Sequence, residues 1–273
     1  MKIKTIIRIG IPIVLIICVL TMIFLYSFYQ GYAQRLISAV KQNDIVRLEK
    51  ILGQPGNVNS KPYILELDRT NYPALHMACY ERNFAAVKLL VTHDADINNT
   101  KSTNNRSPLI AVLASPGSSQ GRLEIAEYLV NQGSDVNYCD YYRSAALSYV
   151  LRRNIAPKNI ELEQREFDFV MFLLGKGAEL DQSGGYGHLV FEAAACNNVK
   201  TLEYLIEVKG VDINLQNVAK YTPLMFASQY NCREAAEYLL QNNADRELKN
   251  NDGKTAFDLA IKYDNVEIIS LLQ

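Results

Sequence analysis

The sequence contains no tryptophan, only 3 histidines and few glycines, and these absences exclude several classes of protein. The 5 cysteines form neither a C-x-x-C pair nor a Cys/His cluster, so no metal site is expected. The 14 glycines form no loop that could hold the phosphates of a nucleotide cofactor. The formal net charge is -1, without the strongly basic balance of a nucleic-acid-binding protein. We therefore expect no metal, cofactor, nucleic-acid partner or small-molecule substrate.

Long apolar runs are scarce as well, with one exception near the amino terminus. Residues 9–29 are uncharged and mostly apolar, and they follow a short basic flank at residues 1–8. About 20 such residues cross a bilayer core as a helix, so residues 9–29 are predicted to be a transmembrane signal anchor. A signal peptide cleaved after Ala33 is the alternative, but its apolar region would usually span only about 7–15 residues.

The charges on either side of this segment predict its orientation. Three basic residues precede it, whereas only Arg35 and Lys41 follow closely. The positive-inside rule then favours a bacterial inner-membrane protein with a cytoplasmic amino terminus and a periplasmic carboxyl-terminal domain. The scattered cysteines argue weakly for the reverse, because an oxidising compartment favours paired cysteines. The next helix is expected to begin near Ala33, about three residues beyond the anchor, which would hold the domain close to the lipid.

The rest of the chain repeats one phrase about every 33 residues. Residues 222–227 (TPLMFA) and 255–260 (TAFDLA) are 33 positions apart, and residues 75–78 (LHMA) give an earlier copy. The phrase Glu-Tyr-Leu recurs at residues 127–129, 203–205 and 237–239. Apolar residues at helical spacing in residues 234–241 predict a helix with one buried face. A single unit does not cover that face by itself, so the units are predicted to stack.

These phrases resemble the ankyrin repeat family, whose unit has about 33 residues and a Thr-Pro-Leu-His-x-Ala pattern. The resemblance covers residues 34–273. It implies an all-α, ankyrin-repeat solenoid of helix-turn-helix units with hairpin tips, here preceded by one amino-terminal transmembrane helix. About seven units are expected, approximately at residues 34–59, 68–100, 101–138, 139–182, 183–215, 216–248 and 249–273.

Polar residues recur where helices and units end. Acidic residues at unit ends are predicted to form turns, namely Asp135, Glu179 and Asp212. An asparagine follows several first helices, where a left-handed residue ends a helix; these are Asn43, Asn197 and Asn231. Arg82 occupies the same position and does not fit the pattern.

Catalytic chemistry is not predicted. His76 lies three positions before Cys79, a spacing compatible with a base and a nucleophile, but no orienting acid is recognisable. The family resemblance instead implies that His76 braces a turn. We therefore expect that the protein is not an enzyme.

The resemblance also implies that hairpin tips and first helices line a concave groove that binds proteins. Tyrosine and arginine carry much of the binding energy in interfaces, and this chain has 17 tyrosines. The predicted partner-binding residues lie at tips or near the ends of first helices; they are Tyr72, Tyr80, Glu81, Arg106, Tyr138, Tyr141, Tyr142, Arg152, Arg153, Tyr186, Tyr221, Gln229 and Tyr230. The alternative is that some tyrosines fill gaps between units, as is expected of Tyr128, Tyr204 and Tyr238.

The sequence therefore predicts a membrane-tethered scaffold that binds a protein partner. An inhibitor or immunity-type protein is one specific case. A cytosol-facing regulator or assembly factor of a membrane complex is the alternative. Loops inserted near residues 116–121 and 155–166 either take part in binding or are tolerated surface insertions.

Overall fold

The structure, a computed structural model, describes most of the chain. The described residues are 2–59, 72–102, 104–116, 119–151, 160–179 and 189–273. The description excludes the helical side chains of residues 2–16, 24–26, 29–30, 119–120 and 160–163. Within the described residues, all regular secondary structure is helical, as predicted. The chain divides into an amino-terminal unit, Met1–Ser115, and a carboxyl-terminal unit, Pro116–Gln273.

The amino-terminal unit is built from paired helices joined by short turns. Its described helices are α1 (Lys2–Lys41), α2 (Ile45–Leu52), α3 (Ala74–Tyr80), α4 (Phe84–Thr92) and α5 (Pro108–Ala114). α1 packs against α2 and α3, and α3 packs in turn against α4 and α5. The first helices of successive pairs therefore contact each other, as stacked repeat units require.

α1 continues without a break from Lys2 to Lys41, so the expected gap of about three residues before the first repeat helix is wrong. Between residues 30 and 33 only Gly31 is a weak helix former, and one glycine costs a helix only about 1 kcal/mol. The last part of α1 is anchored in the unit, because Tyr32, Leu36 and Val40 are buried. One helix thus joins the apolar amino-terminal segment to the first repeat pair.

The predicted anchor, residues 9–29, lies within α1, but the side chains of residues 9–16, 24–26 and 29 lie outside the described residues. Among the residues that are described, no helix has both the length and the hydropathy needed to cross a membrane. The described side chains of Ile17, Val19, Leu20, Met22 and Ile23 are between 54% and 71% exposed. The membrane span stays a prediction.

The carboxyl-terminal unit continues the pattern in two rows of helices. Its described helices are α6 (Ser119–Asn131), α7 (Ala146–Leu151), α8 (Ile160–Gly175), α9 (Leu189–Ala195), α10 (Val199–Glu203), α11 (Pro223–Gln229), α12 (Arg233–Gln241), α13 (Ala256–Lys262) and α14 (Val266–Leu272). A π-helical turn, Tyr204–Val208, extends α10. The inner row is α7, α9, α11 and α13, each in contact with the next. In the outer row, α6 contacts α8, and α12 contacts both α10 and α14.

Both predicted loop insertions are shorter than the sequence suggested, because α6 begins at Ser119 and α8 begins at Ile160. Residues 161–165 (ELEQR) consist of strong helix formers, which explains the longer α8. Glu166, predicted to lie in the second loop, is buried on α8 and pairs with buried Arg122 of α6 at 3.3 Å. The attraction between these two charges offsets part of the free-energy cost of removing each from water. Residues 117–118 and 152–159 lie outside the described residues.

The recurring Thr-Pro phrase begins a first helix. The hydroxyl of Thr222 accepts a hydrogen bond from the backbone N–H of Met225 at 3.2 Å, and Pro223 occupies the first helical turn, where no N–H partner is needed. Thr255 and Asp258 form a reciprocal capping box on α13. The phrase therefore sets the point at which α11 and α13 start.

The left-handed residues predicted after first helices are confirmed. Asn43, Asn197 and Asn231 have φ values of 53°, 58° and 56°. Arg82 adopts φ 56° as well, although its side chain gains nothing from that conformation. The turn holds it there, because the neighbouring Asn83 N–H donates to the Ala78 carbonyl at 2.9 Å.

Asparagines at the outer turns form hydrogen bonds between neighbouring repeats. Nδ2 of Asn137 donates to the carbonyl of Gly177 at 2.9 Å, and its Oδ1 accepts from the N–H of Glu179 at 2.9 Å. Asn59 makes the same two kinds of bond to Asp94 and Asp96 in the amino-terminal unit. These side chains fix the register between neighbouring units.

The predicted turn-forming role of the acidic residues is confirmed for Asp135 and Asp212. Each carboxylate accepts a hydrogen bond at 2.9 Å from the backbone N–H two residues later, at Asn137 and Asn214 respectively. For Glu179 the structure shows a backbone contact instead, because its N–H donates to Oδ1 of Asn137. The aspartate carboxylate thus shapes the turn and positions the asparagine that bonds to the neighbouring repeat.

We expect Gly56→Ala to lower the free energy of unfolding by about 1–3 kcal/mol, as overpacked sites usually do. An added Cβ at residue 56 would overlap the ring of Tyr32, which is buried and has no room to move. Gly53→Ala is the matched control, because its Cβ would stand 3.8 Å from the nearest atoms. Thermal denaturation of the full chain, followed by circular dichroism, compares the two. Equal stability would contradict this packing.

Candidate protein-binding surface

Three aromatic side chains lie together at α3 in the amino-terminal unit. His76 and Tyr80 are four residues apart on this helix, whereas Tyr72 precedes its first residue, Ala74. The ring centroids of Tyr72 and His76 are 6.3 Å apart, and those of Tyr72 and Tyr80 are 6.5 Å apart, with stacked planes. Tyr80 and Glu81 are exposed, whereas Tyr72 is half-buried. The structure thus brings Tyr72 and Tyr80 together, but leaves only part of their surface open.

His76 braces the turn of the following unit, as the family resemblance implied. Its Nε2 lies 2.8 Å from the carbonyl oxygen of Arg106. Burial lowers the pKa of His76 to about 4, although hydrogen bonds to the backbone of Arg106 and Asn99 act in the opposite direction. The imidazole is therefore neutral near pH 7 and donates to Arg106 through Nε2–H. Arg106 itself is half-buried, and its carbonyl also accepts from the Ser102 hydroxyl at 2.8 Å.

A catalytic pair of His76 and Cys79 is not supported by the geometry. Cys79 is fully buried, and burial raises the pKa of its thiol well above the ordinary value. A thiolate nucleophile would therefore not form there near neutral pH. Nε2 of His76 is occupied by the backbone of Arg106. In the described ranges, no three His, Cys, Asp or Glu side chains are grouped so that they could hold a metal ion.

The tip before α7 presents two tyrosine rings to solvent. Tyr141 and Tyr142 are 74% and 57% exposed, and their rings meet edge to face with centroids 5.5 Å apart. Buried Asp140 holds this tip: its Oδ1 accepts from the N–H groups of Tyr142 and Ser144 at 2.9 and 3.1 Å. Its Oδ2 accepts from the Tyr149 hydroxyl at 2.6 Å. The two rings are therefore exposed on a tip whose backbone is held in place.

A second group of rings lies on inner helices α9 and α11. The ring of Phe226 lies 5.4 Å from Tyr221, 5.5 Å from Phe191 and 6.5 Å from Tyr230, measured between centroids. We call these four residues the aromatic surface. Tyr230 is 55% exposed, while Tyr221 is half-buried. Gln229 is half-buried too, and its carbonyl accepts from Nδ2 of Asn265 at 3.2 Å.

Sequence reasoning missed one member of this surface and several exposed apolar residues near it. Phe226 was not predicted, although it lies four residues before Tyr230 and therefore shares its helical face. Tyr263 and Ile261 are exposed at the end of α13, and Val218 is exposed at the tip before α11. Tyr263 is 33 positions after Tyr230, so the repeat spacing would have found it.

The remaining predicted residues divide into two groups. Tyr138 is half-buried near the tip that carries Tyr141 and Tyr142. Arg152, Arg153 and Tyr186 lie outside the described residues. Two of the tyrosines expected to fill gaps contact a neighbouring repeat. The hydroxyl of buried Tyr238 donates to Glu207 at 3.1 Å, and the ring of Tyr204 meets that of Phe167 edge to face.

Comparison with known proteins shows which family these units belong to. The sequence profile described as "Ankyrin repeats (3 copies)" matches residues 36–151 and 190–273. The putative ankyrin repeat protein FPV031 of fowlpox virus is 29% identical over 156 residues, which are 55% of this chain and 43% of that protein. Alpha-latrocrustotoxin-Lt1a of Latrodectus tredecimguttatus is 26% identical over 208 residues, which are 72% of this chain and 14% of the toxin. The chain thus spans less than half the length of either relative.

Solved structures show the same fold. The ankyrin repeat domain of human ASB11 matches with a TM-score of 0.65 and 20% identity, over 87% of this chain and 97% of that one. A chain from the complex of the Bdellovibrio bacteriovorus predatory endopeptidase Bd0816 with immunity protein Bd3460 matches with a TM-score of 0.58 and 26% identity. That match covers 74% of this chain and 97% of the other.

The stability of the protein should depend on pH through His76. The folded pKa of about 4 lies below the ordinary value of 6.5, so the unfolded state binds more protons between these pH values. The free energy of unfolding should therefore fall as the pH drops from 6.5 towards 4, by up to about 1.4 kcal/mol per pH unit from this residue. His76→Gln should lack this contribution.

Urea denaturation of both proteins at pH 7 and pH 5 measures the effect. We expect the difference in unfolding free energy between the wild type and His76→Gln to shrink at pH 5. A difference that is the same at both pH values would show that His76 does not titrate below its ordinary range.

Proposed function

Because this chain belongs to the ankyrin repeat family, we propose that it is a membrane-tethered scaffold that binds a protein partner through its first helices and hairpin tips. Stacked repeats of this kind offer extended surfaces to proteins. The observation that carries the proposal is the exposed and braced pair of Tyr141 and Tyr142. A partner with apolar groups and hydrogen-bond acceptors fits it, since each tyrosine buries a large ring and donates through its hydroxyl.

The aromatic surface supports the same proposal at a second place in the carboxyl-terminal unit. Tyr230 is the exposed end of a row of rings that is fixed from behind by Phe226 and Phe191. A ring that is already held in place loses little conformational freedom when a partner covers it. Exposed Tyr263 and Ile261 on the neighbouring helix α13 extend the apolar area that a partner would cover.

The tether in this proposal is the segment of residues 9–29. It is supported by the exposed apolar side chains from Ile17 to Ile23, which water solvates poorly and hydrocarbon accepts. The basic flank before the segment favours a cytoplasmic amino terminus and repeats on the periplasmic side of a bacterial inner membrane. A cytosol-facing regulator or assembly factor of a membrane complex is the alternative with the opposite orientation.

Inhibition of a partner enzyme is the narrower candidate, and one similarity favours it. The chain that is 26% identical to this one comes from a complex of an endopeptidase with an immunity protein. On this basis we propose that the partner is an enzyme whose active site the repeats cover. Adding the purified full chain to the captured partner should then reduce the activity of that partner. Unchanged activity at saturating binding would leave a scaffold without an inhibitory role.

Replacing both Tyr141 and Tyr142 with alanine should weaken partner binding at least tenfold, because exposed aromatic anchors carry much of an interface's energy. The fold should be unaffected, since neither ring is part of the core. Val208→Ala, at an exposed site on the outer row, is the control. Binding of the affinity-captured partner to each purified variant measures the effect. Equal binding by all three proteins would exclude the tip from the interface.

The orientation can be tested with reporters fused after Gln273. A reporter that is active only in the periplasm should be active there, and one that is active only in the cytoplasm should be silent. The opposite result would overturn the periplasmic location and favour the cytosol-facing alternative. Extraction of the untagged chain with alkaline carbonate tests the tether separately, since an integral protein stays in the pellet.

A further inference from the structure

A basic cleft lies between α1 and α2, directly after the apolar segment. Its volume is about 550 Å³. One wall is a single face of α1, on which Ser27, Gly31, Arg35 and Ser38 follow each other at helical spacing. The other wall contributes Arg47 from α2. Two guanidinium groups from different helices therefore face the same space.

Among the described residues that line this cleft there is no carboxylate, and both arginines bond to neutral oxygens. Nη1 of Arg35 donates to Oε1 of Gln54 at 3.2 Å, and Nη1 of Arg47 donates to Oε1 of Gln42 at 3.0 Å. A guanidinium has five N–H donors, so each keeps donors available for a ligand. The nearby carboxylate of Asp44 caps α2 by accepting from the backbone N–H of Arg47 at 2.9 Å. The cleft thus holds two positive charges.

Gly31 lines the cleft. An added Cβ at this position would have nothing within 4 Å, so a larger side chain there would occupy the open space of the cleft. The hydroxyls of Ser27 and Ser38 lie on the same face of α1 and are further donors. Guanidinium and hydroxyl groups around an open space suit the tetrahedral oxygens of a phosphate group.

The cleft between α6 and α8 is different in charge. It has a volume of about 420 Å³ and is lined by Glu124, Glu127 and Asp168 as well as Arg165. Three carboxylates disfavour an anion there. Of these two clefts, only the one beside the apolar segment has the charge that an anion requires.

We propose that the cleft between α1 and α2 binds the phosphate group of an anionic lipid headgroup. This rests on the proposed tether, which would place residues 9–29 in the bilayer. Arg35 follows residue 29 by six positions, which is about 9 Å along a helix, and its long side chain can reach back to the headgroup layer. A phosphate held by Arg35 of α1 and Arg47 of α2 would fix the first repeat pair against the membrane surface.

Titration of the purified full chain in neutral detergent with short-chain phosphatidylglycerol tests the cleft. Arg35→Gln and Arg47→Gln should each weaken binding about fivefold, the usual effect of one basic residue near anionic lipid. Gly31→Leu should abolish binding although it keeps both charges, because its side chain fills the cleft. Lys50→Gln, which removes the same charge from α2 outside the cleft, should bind like the wild type.

Two results would overturn the assignment of the cleft. If Lys50→Gln weakens binding as much as Arg47→Gln, the lipid responds to net charge and not to a site. If Gly31→Leu binds like the wild type, the lipid lies elsewhere. The same titration is repeated with short-chain phosphatidylcholine and with inorganic phosphate. Inorganic phosphate that binds as tightly as phosphatidylglycerol would overturn a lipid as the source of the phosphate group.

Flotation with phosphatidylcholine vesicles separates this proposal from the proposed function. The wild type and the Arg35→Gln, Arg47→Gln double variant should float equally, because the apolar segment alone holds them. A full chain that does not float would overturn the tether. Flotation together with no preference for phosphatidylglycerol would overturn only the lipid site.

Discussion

Each helical pair of this protein has an apolar face that it does not cover by itself, and the next pair has to cover it. In the carboxyl-terminal unit the contacting inner helices α9, α11 and α13 carry Ala194, Ala227 and Ala260, which are completely buried. Alanine at these positions lets neighbouring helices approach closely, and a larger side chain would push them apart. The Thr-Pro caps and the bridging asparagines keep each pair in the register that this packing requires. Residues without such a role are free to contact a partner.

Most of the fold followed from the sequence because a repeat imposes the same physical requirement at every copy. The starts of α11 and α13, the left-handed asparagines and the burial of Ala227 could be predicted from the repeated phrase. The helical start of α8 and its buried Glu166 could not, since they occur in one unit only. The continuity of α1 was missed because one glycine weakens a helix without ending it. The position of a tyrosine could be predicted, but its exposure depends on neighbours such as Phe226 and His76, which no local pattern reveals.

The two units present different surfaces. In the amino-terminal unit, α1 connects an exposed apolar segment to the first repeat pair, and the basic cleft lies where the two meet. In the carboxyl-terminal unit, exposed tyrosines lie at one tip and at the ends of inner helices. His76 and Cys79, which a catalytic hypothesis would need, are buried in the packing of α3. The geometry therefore gives no support to a catalytic role for this pair.

Site-specific photo-crosslinking tests the central claim most directly. A photoreactive amino acid would replace exposed Tyr230 on the inner row or exposed Val266 on the outer row, in the full chain within its native cell. If the partner binds the inner row, position 230 should crosslink to the partner and position 266 should not. Crosslinking from position 266 with none from position 230 would contradict it, because the partner would then contact the outer helices.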